Sequence, residues 1–331
     1  MYLMDELNAA AAEDELTYFA FANKTPSASE TLPRAHGVKP LPDVLSGRYK
    51  LERLLGVGGM GAVYRARDLM REQYGDPEPF VAIKTLSEDF AEYPDASALL
   101  YSEFALTTRL RHPHIVRLHG FDIDRESERA YITLEMLRGL TLDKLLCDHP
   151  QGLGWEALRD IAIPLLEALA FAHSQGVLHG DIKPSNVILA EDGLRLFDFG
   201  LGQPVEGVLP GLPRLSRSRF TAWTPRYASL ELLDGAPLTP SADVYAVSCV
   251  LYELATGQHP YRRLSAKQAR AMQIELTPPA QLPKPCWQAL RTGLQFAEPD
   301  RQIDANGLLE GFRHVKQAST LGRWLGLRQS A

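Results

Sequence analysis

The sequence predicts an α+β fold in two lobes, a small and mainly antiparallel β lobe with one key helix, followed by a larger and mainly α-helical lobe. Short apolar runs bounded by Gly, Pro and Asp crowd residues 49–134, one strong helical run at 98–111 interrupts them, and helix-period runs fill the chain after Gly139. Strands first and helices later place a cleft between the lobes, near residues 135–139.

Residues 1–23 are acidic and Ala-rich, and 24–46 are Pro/Ser-rich without period, so 1–47 is expected to be a disordered tail and linker. The alternative there is a docking or autoinhibitory helix built on Leu3, Leu7, Leu16 and Phe19. Residues 49–55 and 62–66 read as strands joined by a Gly-rich turn, and 80–86 as a third strand. Between the last two, 70–79 carries Gly75, Asp76, Pro77 and Pro79 and is expected to be an exposed hairpin loop. The helix at 98–111 is stopped by Pro113, and strands follow at 116–122 and 130–134. Later helices are expected at 155–174, 242–256, 266–274, 286–294 and 305–312, the first of them kinked by Pro164, which lacks an amide donor. The domain therefore spans 48–312, with lobes 48–136 and 137–312, and 313–331 is a tail carrying Leu321, Trp324 and Leu325.

A formal net charge of −6 gives no basic excess, which removes nucleic acid and anionic membrane as default partners. Cys147, Cys249 and Cys286 are odd in number and far apart, as expected of reduced thiols rather than a disulfide framework. The longest mostly apolar stretch, 161–172, is broken by Pro164 and Glu167 and falls short of the ~20 residues of a membrane helix, so no transmembrane segment is expected. Asp5, Glu6, Glu13, Asp14 and Glu15 precede the first cation, Lys24, where a secretory leader would be basic and then apolar. A cytoplasmic location is the expectation.

Gly56-Val57-Gly58-Gly59-Met60-Gly61 lies between two strands, where glycines let the backbone approach phosphate oxygens and aim amides at them. A flexible hairpin turn is the plain alternative. A dinucleotide fold would put such a turn before a helix, yet Ala62-Val63-Tyr64-Arg65 reads as a strand, and no Lys-Ser/Thr follows to make a P-loop. Val81-Ala82-Ile83-Lys84 places a lysine on an apolar strand, where a buried ammonium requires an anionic partner; Glu103 on the next helix is the candidate.

Further on stand His179-Gly180-Asp181-Ile182-Lys183-Pro184-Ser185-Asn186 and Asp198-Phe199-Gly200. With the Gly-rich turn and Lys84, these motifs resemble the eukaryotic-like (Hanks-type) bacterial serine/threonine protein kinases over residues 48–312. The resemblance implies a bilobal protein-kinase fold that uses ATP with Mg²⁺, Mn²⁺ being a substitute. It implies that Asp181 accepts or orients the substrate hydroxyl proton, that Lys183 neutralises charge on the moving phosphoryl group, and that Asn186 and Asp198 hold the metal. It also implies that residues 56–61 cover the phosphates and that Lys84, positioned by Glu103, holds them. The adenine would lie against backbone groups of Glu135 and Leu137, with Leu134 as gatekeeper and Val63, Ala82 and Ile188 lining the pocket.

The resemblance continues through Thr224-Pro225-Arg226-Tyr227, Ser229-Leu230-Glu231, Asp243-Val244-Tyr245-Ala246 and Asp300-Arg301. It implies a buried Glu231–Arg301 pair that braces the activation segment, Asp243 as anchor of the catalytic loop, and Ser/Thr acceptors from the combination of Lys183 with Thr224. Protein substrates, autophosphorylation and a cognate protein phosphatase are the implied partners. Candidate phosphosites in the activation segment are Ser216, Ser218, Thr221 and Thr224; Thr25, Ser27, Ser29 and Thr31 are candidates near the N-terminus.

Gly180 stands where the family usually has the arginine that pairs with an activation-segment phosphate, so activity is not expected to depend strongly on phosphorylating Ser216, Ser218 or Thr221. Arg214, Arg217 and Arg219 offer another seat for such a phosphate. Ser229-Leu230-Glu231 replaces Ala-Pro-Glu but keeps the glutamate. The glycine also resembles small-molecule kinases of the aminoglycoside phosphotransferase type, against which stand Lys183, the full Gly-rich turn and the 224–231 segment. A pseudokinase scaffold would show degenerate positions, yet Lys84, Glu103, Asp181, Asn186 and Asp198 are all present.

Overall fold

The computed structural model describes residues 41–57, 61–86, 96–205 and 224–315. Its first lobe is built on a six-stranded antiparallel sheet of β1 (Val44–Leu45), β2 (Tyr49–Val57), β3 (Gly61–Asp68), β4 (Phe80–Leu86), β5 (Leu118–Ile123) and β6 (Ala130–Leu134), in the order β1-β2-β3-β4-β6-β5. The sheet curls on itself. Ser46, just past β1, donates its amide to Asp124, just past β5, at 2.7 Å, although these strands stand at opposite ends of the order. Helix α1 (Leu69–Gln73) follows β3, and α2 (Ala96–Thr107) packs on β4, β5 and β6. Leu99 and Leu100 of α2 enter the core of the first lobe, whereas Leu106 reaches the core of the second.

That second core surrounds α4 (Trp155–Ser174) and α6 (Pro240–Thr256). Every residue of α6 from Ala242 to Ala255 is buried, Asp243 and Glu253 included, so the helix is packed on all sides and its two acids need internal partners. Helices α3 (Leu142–Asp148), α5 (Leu230–Leu233), α7 (Ala266–Ala271), α8 (Lys284–Gly293) and α9 (Ala305–Arg313) complete the helical lobe. Two small sheets carry its loops: β7 (Gly139–Thr141) with β9 (Val187–Ala190) and β10 (Gly193–Leu196), and β8 (Val177–Leu178) with β11 (Gln203–Pro204). The lobes are also stitched by a parallel bridge between Ile115 and Leu196.

The architecture follows the expected class, with local differences. Folded structure begins before the expected boundary at 48, because Leu45 is fully buried among Ala66, Val81, Ile83 and Tyr131. At the other end Arg313 closes α9 and Val315 packs on the helical core, so the tail starts later than 313. The expected loop at 70–79 contains α1, because the Asp68 carboxylate accepts the Met70 amide at 3.1 Å and caps a helix. Helix α2 ends at Thr107 rather than 111, and α7 ends at Ala271, before Gln273 turns left-handed with φ 50°. The small sheets and α3 were not expected, since strands of two to four residues complete too little alternation to be read. Pro164 lies inside α4, which continues through it. All three cysteines are free thiols, and among the described residues no helix is long and apolar enough to cross a membrane.

Candidate active site

Strand β4 and helix α2 bring Lys84 and Glu103 together. Lys84 Nζ donates to Glu103 Oε1 and Oε2 at 2.6 and 2.7 Å, and to Asp198 Oδ1 at 2.7 Å. Burial alone would push the Lys84 ammonium down, but Asp198 and Glu103 hold it above its ordinary value. The carboxylates do not share this gain equally. Burial pushes both up; Asp198 ends below its ordinary value because Lys84 and Lys183 both act on it, whereas Glu103 ends above, with Lys84 offset by the like charge of Asp198. Asp198 takes φ 66°, and a Cβ at Gly200 would come within 3.4 Å of Asp198, Glu103 and Lys84, so this cluster fits against a glycine.

The loop between β8 and β9 carries the second group. Lys183 Nζ donates to Asp181 Oδ2 at 2.5 Å and to Thr224 Oγ1 at 3.2 Å, and the Thr224 amide donates to Asp181 Oδ1 at 3.3 Å. Asp243 on α6 holds the loop's backbone, accepting from the amides of His179 and Gly180 at 2.9 Å each, while His173 of α4 hydrogen-bonds its Oδ2 at 2.9 Å. Burial pushes Asp243 up, yet His173 and the Gly180 amide hold it below the ordinary carboxylate range. His179, fully buried, is pushed down by burial and stays neutral. Its Nε2 donates to Phe197 O at 3.0 Å, leaving Nδ1 to accept the Asp181 amide at 3.2 Å. Gly180 has φ +83°, and a Cβ there would meet Leu201 O at 2.7 Å.

Asn186 donates its Nδ2 to Asp181 O at 2.9 Å, and its Oδ1 is buried without a hydrogen-bond partner. A buried, unpaired amide oxygen is a hard-cation donor, and the amide of Phe197, the neighbour of Asp198, bonds Asn186 O at 3.0 Å, so Asn186 and Asp198 fit the expected metal. Among the described residues no three His, Cys, Asp or Glu side chains form a metal-holding group, so such a cation would take its remaining oxygens from phosphates and water.

Val63, Ala82, Leu134, Leu137 and Ile188 gather into one buried apolar cluster between the lobes. Glu135, next to Leu134, is fixed by the Arg117 amide on its Oε1 at 2.7 Å and by Arg195 Nε at 3.6 Å. Of the Gly-rich turn, Gly56 and Val57 pair with Val63 and Ala62, and Gly61 begins β3. Gly58, Gly59 and Met60 lie outside the described residues, as do Ser216, Ser218 and Thr221.

Glu231 and Arg301 meet at 2.8 Å, with the Arg301 side chain fully buried. Sequence reasoning missed two features. His173 as a partner of Asp243 is one; the other is a network beneath residues 224–228, in which Tyr227 Oη donates to Glu253 at 2.6 Å and His259 Nε2 donates to Arg226 O at 2.8 Å. Only the weak signal of acids and histidines on apolar stretches pointed to them.

A sequence profile described as the protein kinase domain matches residues 49–304. The serine/threonine-protein kinase PkaA of Streptomyces coelicolor is 33% identical over 291 residues, covering 82% of this chain and 51% of that protein. The serine/threonine-protein kinase PknA of Mycobacterium tuberculosis is 30% identical over 243 residues, covering 71% and 53%. The chain thus spans about half the length of these curated relatives. The crystal structure of the Mycobacterium tuberculosis PknI kinase domain superposes with a TM-score of 0.60 at 23% identity, covering 83% of this chain and 98% of that one, which bears on the fold alone.

Proposed function

This chain belongs to the protein kinase domain family, and from that premise we propose that it transfers the γ-phosphoryl group of Mg-ATP to Ser and Thr hydroxyls of proteins, itself included. The observation that carries the reading is the contact of Asp181 with both Lys183 and Thr224, which sets a carboxylate, an ammonium and the start of an acceptor-facing segment at one point. In this reading Asp181 orients the incoming hydroxyl and takes its proton, and Lys183 offsets charge on the phosphoryl oxygens. Lys84 grips the triphosphate, Asn186 and Asp198 hold Mg²⁺, and the apolar cluster from Val63 to Ile188 receives the adenine. The metal, when bound, supplies neutralisation of phosphate charge.

The same reading makes Glu231, Arg301 and Asp243 supports of the loops, and includes a cognate phosphatase and a cytoplasmic location, where ATP is at hand and free thiols persist. A small-molecule acceptor has less support, because the Thr224 contacts have no task in presenting one.

The test is transfer of labelled phosphate from Mg-ATP to the protein and to casein, beside Asp181→Asn and Asp198→Asn. Label on Ser or Thr is expected, reduced about 10²–10⁴-fold in Asp181→Asn with nucleotide binding retained. Transfer to small alcohols in preference to proteins, or no transfer, overturns the proposal.

A further inference from the structure

The segment around the acceptor-facing threonine is basic out of proportion to the chain. Residues 207–226 contain Arg214, Arg217, Arg219 and Arg226 and no carboxylate, in a chain of net charge −6. Arg226 is two positions beyond Thr224, whose amide reaches Asp181. Its guanidinium lies 5.2 Å from the centre of the Tyr227 ring, and its Nε is buried without a hydrogen-bond partner.

A second basic element is tied to the first. Arg262 and Arg263 are exposed and both left-handed, with φ 51° and 64°, a conformation that non-glycine residues keep only where the surroundings impose it, as at ligand clamps. Here His259 imposes it. Its Nδ1 accepts the Tyr261 and Arg263 amides at 3.2 Å each, so its proton sits on Nε2 and is donated to Arg226 O. Burial pushes His259 down to about 4, so the ring stays neutral and keeps this pattern. One imidazole thus spans from the Arg262–Arg263 turn to the backbone of Arg226. Both Arg226 and Arg263 are near enough to act on the buried Glu253 carboxyl, which Tyr227 already occupies. Among the described residues none of the three arginines forms an ion pair.

Resting on the reading of the chain as a protein kinase, we infer that Arg226, Arg262 and Arg263 form a substrate subsite that recognises a carboxylate side chain flanking the acceptor hydroxyl, so that the preferred substrates are acidic peptides. Guanidinium forks match carboxylates in two-point geometry, and the cluster lies beside the acceptor-facing residues.

The test compares kcat/KM of the full chain with Mg-ATP on three peptides identical except for Glu, Ala or Lys beside the acceptor serine. The Glu peptide is expected to exceed the Lys peptide by about ten- to hundredfold, the gap narrowing with salt. In Arg262→Asn/Arg263→Asn, which keeps residues tolerant of left-handed backbone, the ratio should move toward one. In Arg262→Glu/Arg263→Glu it should invert. Equal rates in the unaltered chain, or a ratio that survives both variants, overturn the inference while leaving the kinase reading intact. If the arginines instead govern only a rate difference between autophosphorylated and phosphatase-treated protein, they serve the chain's own phosphate and the inference falls. Absence of transfer to any peptide and to the protein itself removes both readings.

Discussion

Lys84 and Asp198 are 114 residues apart in sequence, and their side chains meet at 2.7 Å. The contact closes the gap between the β lobe and the helical lobe, and Glu103 completes it from α2 at 2.6 Å. One ammonium thus holds a buried carboxylate, Glu103, and a partly buried one, Asp198, and the two acids respond in opposite directions.

Replacing Lys84 by Met should leave Asp198 and Glu103 facing each other without a cation, at a cost of about 3–5 kcal/mol near pH 8. The deficit should shrink toward about pH 5, because a carboxyl whose folded pKa is raised takes a proton in the folded state, and its stabilisation is lost again as pH rises through that value. Glu103, already raised by burial, is the group expected to do so. Urea denaturation at the two pH values checks this; an equal deficit at both would mean the acids do not repel.

Asp243→Asn should act with the opposite pH sense. Asp243 is held below its ordinary range in the fold, so its stabilisation is present above the unfolded value and is lost as pH falls through the folded one. An amide in its place must point a donor either at His173 and the His179 amide, which share Oδ2, or at the Gly180 amide, which bonds Oδ1. A loss of about 2–4 kcal/mol near pH 7 is expected, fading below about pH 4. Thermal unfolding across that range is the measurement, and a pH-independent loss would contradict the carboxylate's charge as the cause.

Much of this site was legible because its chemistry is concentrated in consecutive residues. Asp181, Lys183 and Asn186 lie on one loop, and a lysine on an apolar strand calls for an acid, which Glu103 proved to be. The two-lobed order of strands and helices was legible from periodicity. Features that depend on distant partners were not: His173 serves Asp243 from 70 residues away, and Glu253 serves Tyr227 from 26. Helix α1 was hidden by its Gly- and Pro-rich continuation, although Asp68 carried the capping signal. The β7–β9–β10 sheet was too short to show a period.

Gly180 bears on regulation. With φ +83° and only 2.7 Å between a Cβ and Leu201 O, Gly180→Ala should cost about 1–3 kcal/mol. Since no arginine occupies this place, the Ser216→Ala/Thr221→Ala variant carrying Ser218→Ala as well should keep its transfer rate within about fivefold, the reach of one weak pairwise contact. A dead triple variant, with folding verified by melting temperature, would refute this.

Arg301→Lys separates charge from geometry. Arg301 donates through Nη1 to Glu231 Oε1 at 2.8 Å and to Ser241 O and Oγ at 3.0 Å, and through Nη2 to the carbonyls of Gln295 and Phe296 at 2.9 and 3.3 Å. A lysine keeps the charge but offers three donors from one point, whereas these acceptors surround a planar fork, so buried carbonyls would be left unpaired. The expected loss is about 2–4 kcal/mol for Lys and more for Met, which also strands the Glu231 carboxylate. Hydrogen exchange should locate the opening first at α5 and the Asp234–Gly235 turn after it, because this pair is one of that segment's ties to the helical lobe, beside Lys267 on Leu233 O at 2.8 Å. Rescue of the melting temperature by Lys to within about 1 °C of the unaltered chain would show that charge alone suffices.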